Sequence, residues 1–217
     1  MLFRSTFLLV GEDQVPLARA MVESVRKVMP HCNIVQQSDM GTTAVVEDVR
    51  RLEWDGLHLM TYRLKHLATL PSADYLILDT DILVQKDVSD VFKQPFDVAL
   101  TRRTGTIMWR GMDIAKAMPY NTGVMFSRSA KFWAECYEWC SKAQDELQNW
   151  FGDQMSVRAI ADKKKYVLLE LPCGVYNYTP SSVIEDVSDR AIVHYKGAAG
   201  RKQWMLDRWE KERRRHK

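Results

Sequence analysis

The segment that most constrains this chain is Tyr75-Leu76-Ile77-Leu78-Asp79-Thr80-Asp81-Ile82-Leu83-Val84, an apolar run interrupted once by two carboxylates spaced i, i+2. Apolar residues on both sides of the interruption predict a strand buried on both faces, as in a parallel or mixed sheet. Side chains two apart on an extended segment point the same way, so Asp79 and Asp81 are expected to aim at one point. That point lies at the carboxyl end of a strand, where open α/β sheets bind ligands. Two convergent carboxylates suit a hard divalent cation, which commonly accompanies phosphate groups.

The rest of the chain is consistent with an alternation of strands and helices. Strands are expected at 5–10, 32–36, 96–100, 120–127, 167–171 and 191–193, and helices at 17–29, 57–70, 130–147, 152–161 and 204–217. A short helical turn is expected at 88–92 and a loop at 101–118, while 38–56 is polar and carries no clear period. Pro30 and Pro71 close two of the helices. Strands alternating with helices predict an α/β layered fold. Its 217 residues and 46% hydrophobic composition suffice for one sizeable core. No apolar run approaches the roughly 20 residues of a membrane span, and Met1–Val10 lacks the features of a secretory leader.

Cysteines stand at 32, 136, 140 and 173 without a CxxC pair. Cys136 and Cys140 share an apolar helix face, which predicts buried reduced thiols and a cytoplasmic protein. The net charge of +3 is concentrated at the end. Residues 201–217 hold eight Lys/Arg against three acids, leaving the first 200 residues with a net charge of −2. Trp204 and Trp209 interleave with these cations. An anionic membrane surface, met peripherally, and a nucleic acid backbone both suit that mix, as does a plainly solvated helix.

Four further segments carry chemistry that a bland core would not require. Asn121-Thr122-Gly123 lies within an expected strand, where Asn and Gly are unfavourable unless something approaches the backbone. Gly152-Asp153-Gln154 opens a helix. Val193-His194-Tyr195-Lys196-Gly197 ends a strand at a histidine, and Gly200-Arg201-Lys202-Gln203-Trp204 follows.

Taken in order, these motifs resemble the family 8 glycosyltransferases of GT-A type, which include glycogenin-like and lipopolysaccharide sugar transferases. The block from Thr61 to Phe92 resembles the family's phosphate-contacting helix through its DxD motif. Asn121-x-Gly123, Asp153-Gln154 and His194-x-x-Gly197 resemble its later motifs, and together the pieces span about two thirds of the chain. The resemblance implies a single GT-A (Rossmann-like) nucleotide-sugar-binding domain over 1–200, with a mixed, mostly parallel sheet flanked by helices, and a basic helix or tail at 201–217. It implies a retaining hexosyltransferase that uses Mn²⁺ or Mg²⁺ and a UDP-linked donor, UDP-glucose or UDP-galactose, with an acceptor hydroxyl. Asp79, Asp81 and His194 match the metal ligands, with Asp79 also towards the ribose. An imidazole beside two carboxylates favours Mn²⁺. Arg63, Gly197 and Lys202 match residues facing the diphosphate. Asn121 and Gly123 match the strand beside the transferred sugar, Asp153 and Gln154 match residues contacting that sugar, with Gln154 nearest its anomeric carbon, and Gln154, Asp153 and Asn121 are the catalytic residues the resemblance implies. Gln203 stands where the family has Pro, and two extra residues separate Gly197 from Lys202. A sugar-nucleotide pyrophosphorylase is disfavoured, because Gly11-Glu12-Asp13-Gln14 is acidic and carries one Gly. A catalytically inert sugar-nucleotide-binding protein and a transferase acting on a modified nucleic-acid base are the alternatives.

Overall fold

The computed structural model describes residues 3–143, 151–197 and 199–215. A seven-stranded sheet runs in the order β10-β6-β9-β4-β1-β2-β3. Its strands are β1 (Arg4–Leu9), β2 (Asn33–Ser38), β3 (Asp48–Arg51), β4 (Tyr75–Leu78), β6 (Val98–Arg102), β9 (Tyr120–Ser127) and β10 (Leu168–Pro172). All neighbouring pairs are parallel except those that β9 makes with β4 and β6. Two smaller antiparallel pairs complete the described strands: β5 (Ile82–Val84) with β11 (Ile192–His194), and β7 (Met108–Trp109) with β8 (Met112–Asp113).

The helices are α1 (Val15–Val28), α2 (Leu59–Ala68), α3 (Ile114–Ala117), α4 (Ala130–Lys142), α5 (Gly152–Ala161), α6 (Cys173–Tyr176) and α7 (Ala199–Arg215), and the longer ones cover both sheet faces. Strand alternation sorts the core into two halves. Leu76, Leu78, Val124 and Phe126 pack with α1 and α7, whereas Tyr75, Ile77, Leu100 and Met125 pack with α2, α4 and α5. Burial on both faces explains why β4 reads as continuous apolar sequence rather than alternating.

Most elements lie within a few residues of expectation, and the differences have physical causes. Pro16, expected in a loop, sits in the first turn of α1, where its missing N–H removes nothing and its fixed φ suits the helix. β3 emerges within 38–56; it is a polar edge strand with no buried residue to give it a period. The expected loop 101–118 contains the β7–β8 hairpin and α3, the latter capped by Asp113 accepting from the Ala115 N–H at 3.0 Å. α4 begins with Ser129 accepting from the Phe132 N–H at 3.2 Å; positions 144–147 of the expected helix lie outside the described residues. α7 starts at 199 rather than 204, taking Gly200, Arg201 and Lys202 into its first turns. All four cysteines are free thiols, and Cys136 and Cys140 are buried as expected. Among the described residues no helix is long and apolar enough to cross a membrane.

The largest correction concerns the opening motif. The extended run does not pass through the carboxylates. β4 ends at Leu78 and β5 begins at Ile82, leaving 79–81 as a turn between two sheets. Asp79 and Asp81 therefore converge through that turn and not through strand alternation. Two backbone bonds hold it: Asp79 N–H to the Gly123 carbonyl at 2.9 Å, and Tyr195 N–H to the Asp81 carbonyl at 2.8 Å.

Candidate metal centre

Asp79, Asp81 and His194 each offer one ligand atom, and these atoms lie within 4.8 Å of one another. His194 Nε2 is 3.0 Å from Asp81 Oδ1 and 3.5 Å from Asp79 Oδ2. Burial pushes the Asp81 carboxyl up, but His194 and Lys202 outweigh it and hold it below the ordinary carboxylate value.

The imidazole's orientation follows from hydrogen-bond logic. The Gly123 N–H can only donate, so the Asn121 atom it meets at 3.2 Å is the amide oxygen. That oxygen also faces Asn177 at 2.8 Å, which must therefore present its NH₂; the same NH₂ donates to Thr101 Oγ1 at 2.7 Å. The Asn177 oxygen is then the group 2.8 Å from His194 Nδ1, and Nδ1 carries the donated hydrogen. In the neutral ring this leaves the Nε2 lone pair facing both aspartates, the tautomer a cation site needs. Two carboxylates and a lone pair brought together repel unless a proton or a cation lies between them. The donor set therefore fits a divalent ion.

Gly123 makes room for the ring. A Cβ built there would stand 2.1 Å from His194 Cε1 and 2.5 Å from Nδ1. The group that approaches this strand backbone is the protein's own histidine. β9 accommodates it by a break in its register with β6, between Leu100 and Thr101.

The remaining expected site residues gather around this cluster. Arg63, 5% exposed, bonds Asp79 Oδ1 at 2.8 Å, Asp153 Oδ2 at 3.2 Å and the Thr122 carbonyl at 2.9 Å. Its guanidinium is thus engaged by two carboxylates and a carbonyl. Asp153, 1% exposed, also accepts from Thr122 Oγ1 at 2.7 Å; burial pushes its carboxyl up, against Arg63. Gln154 turns its amide oxygen to Arg103 and so presents its NH₂ elsewhere. Lys202 Nζ donates to Gln14 Oε1 at 3.1 Å, tying the start of α7 to the loop after β1. Gly197 has φ +89°, a left-handed turn open to glycine, and Arg201 donates to the Lys196 carbonyl just before it at 3.0 Å.

Sequence reasoning did not single out Asn177, Thr122, Arg103 or Lys196. Asn177, within Tyr176-Asn177-Tyr178-Thr179-Pro180, follows no period and belongs to no motif that could have marked it. Lys196 stands at a position that His194-x-x-Gly197 leaves open.

No family model and no curated protein sequence matches the chain. Solved structures do. A glycosyltransferase involved in the glycosylation of the major capsid of PBCV-1 has a TM-score of 0.65 at 15% identity, over 96% of this chain and 99% of that one. The galactosyltransferase LgtC, in complex with donor and acceptor sugar analogs, has a TM-score of 0.58 at 14% identity, over 96% and 94%. The glycosyltransferase GlyE of Streptococcus pneumoniae TIGR4 has a TM-score of 0.63 at 15% identity, over 98% of this chain and 64% of that one. The fold is that of the GT-A glycosyltransferases. The Asp79–Asp81 turn follows directly on the carboxyl end of β4, with His194 beside it, and Arg63 and Arg103 tie the start of α5 to that turn and to the carboxyl end of β6, the end at which open α/β sheets bind ligands.

Proposed function

We propose that this chain is a metal-dependent glycosyltransferase of the family 8 kind. It moves a hexose from a UDP-linked donor to an acceptor hydroxyl, with retention of configuration. The observation that carries the reading is the convergence of Asp79, Asp81 and a tautomer-locked His194 from segments more than a hundred residues apart. The GT-A likeness to glycosyltransferases supports it.

Asp79, Asp81 and His194 would hold the cation, and the mixed nitrogen and oxygen donors favour Mn²⁺ over Mg²⁺. When bound, the cation supplies Lewis-acid stabilisation of charge on the leaving diphosphate. Arg63 holds Asp79 in place through their 2.8 Å ion pair, rather than reaching the diphosphate itself. Lys202, close enough to Asp81 to lower its pKa, is the cation offered to the diphosphate, and the Gly197 turn lets the chain close over it. Asn121 positions Asn177, and through it His194. Gln154 offers amide N–H donors to a sugar oxygen. Asp153, the acid deepest in the site, is committed to Arg63 and Thr122, so it serves neither as base nor as nucleophile. That supports same-face attack, in which the leaving phosphate oxygen takes the acceptor proton.

Donor hydrolysis tests the reading. UDP-glucose and UDP-galactose are assayed with Mn²⁺ or with chelator, on wild type and on Asp81→Ala. Turnover should depend on Mn²⁺ and fall by about a hundredfold or more in the variant. Equal rates in the two proteins would remove the metal site from the mechanism. Hydrolysis that ignores chelation would do the same.

A further inference from the structure

Two cations at this site join no ion pair among the described residues. Arg103, just past β6, donates to the carbonyl oxygens of Met118 and Tyr120, the latter at 2.8 Å, and to Gln154 Oε1. All three acceptors are neutral, and the guanidinium keeps donors to spare. Lys196 bonds Asn177 Oδ1 at 3.5 Å, a long contact that leaves most of the ammonium's donor capacity unused. Both side chains are half-buried.

The acids of the site are committed elsewhere. Its ion pairs join Arg63 to Asp79 and Asp153, and His194 to Asp79 and Asp81; among the described residues neither Arg103 nor Lys196 joins one. Lys196 lies near enough to Arg103, Asp79 and Asp81 to feel their charges, and Arg103 near enough to Asp153 to feel that one. Two half-buried cations whose hydrogen-bond acceptors are all neutral keep donors that an anionic group can take up.

Their place in the fold says which part of a substrate that anion belongs to. Lys202 and Gln14 lie by the end of β1. Arg103 follows β6, three strands away across β4 and β9, or about 14 Å at the usual strand spacing. Lys196 leans the same way, through Asn177 and its bond to Thr101 on β6. On the glycosyltransferase reading above, on which this rests, the nucleotide takes the β1 side and the sugars take the β6 side. We propose that the β6 half of the pocket binds a substrate bearing an anionic group, a carboxylate or phosphate ester, gripped between Arg103 and Lys196. The group belongs either to the transferred sugar or to the acceptor.

Calorimetry in two arms separates these sources. One arm titrates UDP-glucuronic acid against UDP-glucose in Mn²⁺. The other titrates glucuronic acid and glucose 6-phosphate against glucose, on protein saturated with UDP and Mn²⁺. The anionic member should bind about ten- to a hundredfold tighter in one arm, the worth of one charge-assisted contact. Lys196→Met should bring that ratio close to one. The wild-type comparison stands even if the variant folds poorly. Equal binding of charged and neutral members in both arms, with UDP still bound, overturns the anion subsite and leaves the transferase reading intact. So does a preference that Lys196→Met does not change. A protein that binds neither UDP nor any UDP-sugar overturns the transferase reading, and this proposal with it.

Discussion

Asn177 donates to Asn121 and Thr101 and accepts from His194, so one side chain links β6, β9 and β11 behind the Asp79–Asp81–His194 cluster. Removing it should free the imidazole to rotate and to change tautomer. Asn177→Ala is expected to weaken Mn²⁺ binding about ten- to a hundredfold, measured by electron paramagnetic resonance titration, the size typical of losing a group that orients a ligand. An unchanged affinity would mean that packing alone aims His194. Gly123 makes a steric demand at the same place. A methyl group there overlaps the ring at 2.1 Å, and the far side of the ring is held by Asn177. Gly123→Ala should lower stability by about 1–3 kcal/mol in urea unfolding and abolish measurable Mn²⁺ binding, since relief requires His194 to leave. Retained metal binding with native stability would show that the strand can yield. The role of Asn177 was not legible, and that of Gly123 only half. The sequence marked Gly123 as a place where something approaches the backbone, but not that the visitor is His194.

At the scale of elements, α2 carries Arg63 into the site and is itself sensitive to acid. His66, 1% exposed, stacks edge-on to Tyr62 with ring centroids 4.6 Å apart, and its Nε2 has no partner. Burial pushes its pKa from the ordinary 6.5 down to about 4. A folded-state pKa below the unfolded one means that the unfolded chain binds the extra proton. Stability is therefore complete above pH 6.5 and falls as pH drops towards 4. The full effect is about 3 kcal/mol. His66→Gln should flatten that part of the stability profile, read as the urea midpoint from pH 7 to pH 4. Parallel profiles for the two proteins would exclude His66 as the source. The apolar period of α2 was legible in sequence. The burial of its histidine was not, because it depends on Tyr62 and on the sheet beneath.

For the whole molecule, α7 closes the fold against α1. Met205 is fully buried and Trp209 is 8% exposed, with the indole N–H donating to Glu23 at 2.8 Å. The ion pairs Lys27–Glu212 and Arg213–Glu23 lie at the surface and add little. Trp209→Ala should therefore cost about 3 kcal/mol, whereas replacing Arg213, Arg214 and Arg215 with Ser should change stability by no more than about 0.5 kcal/mol per residue. Urea unfolding of both variants decides it. A larger loss from the arginine replacements would mean that charge, not packing, seats the helix. Reading the tail as basic captured its surface. The anchoring role of Trp209 needs α1 beside it.

Local pattern determined most of the architecture. Apolar runs and helical periods report which faces are buried, and faces buried on alternating elements leave few choices but an α/β layered sheet. The ordered motifs also named residues that the fold brings together around Asp79, Asp81 and His194. Tertiary structure alone decided how those residues are used. It broke the strand at Asp79–Asp81, committed Arg63 to two carboxylates, turned the Gln154 oxygen to Arg103 and brought in Asn177. These outcomes depend on partners such as Thr101 and Thr122, 76 and 59 residues from the side chains they meet. A hydrogen bond across that separation has no local period, so only the folded chain can reveal it.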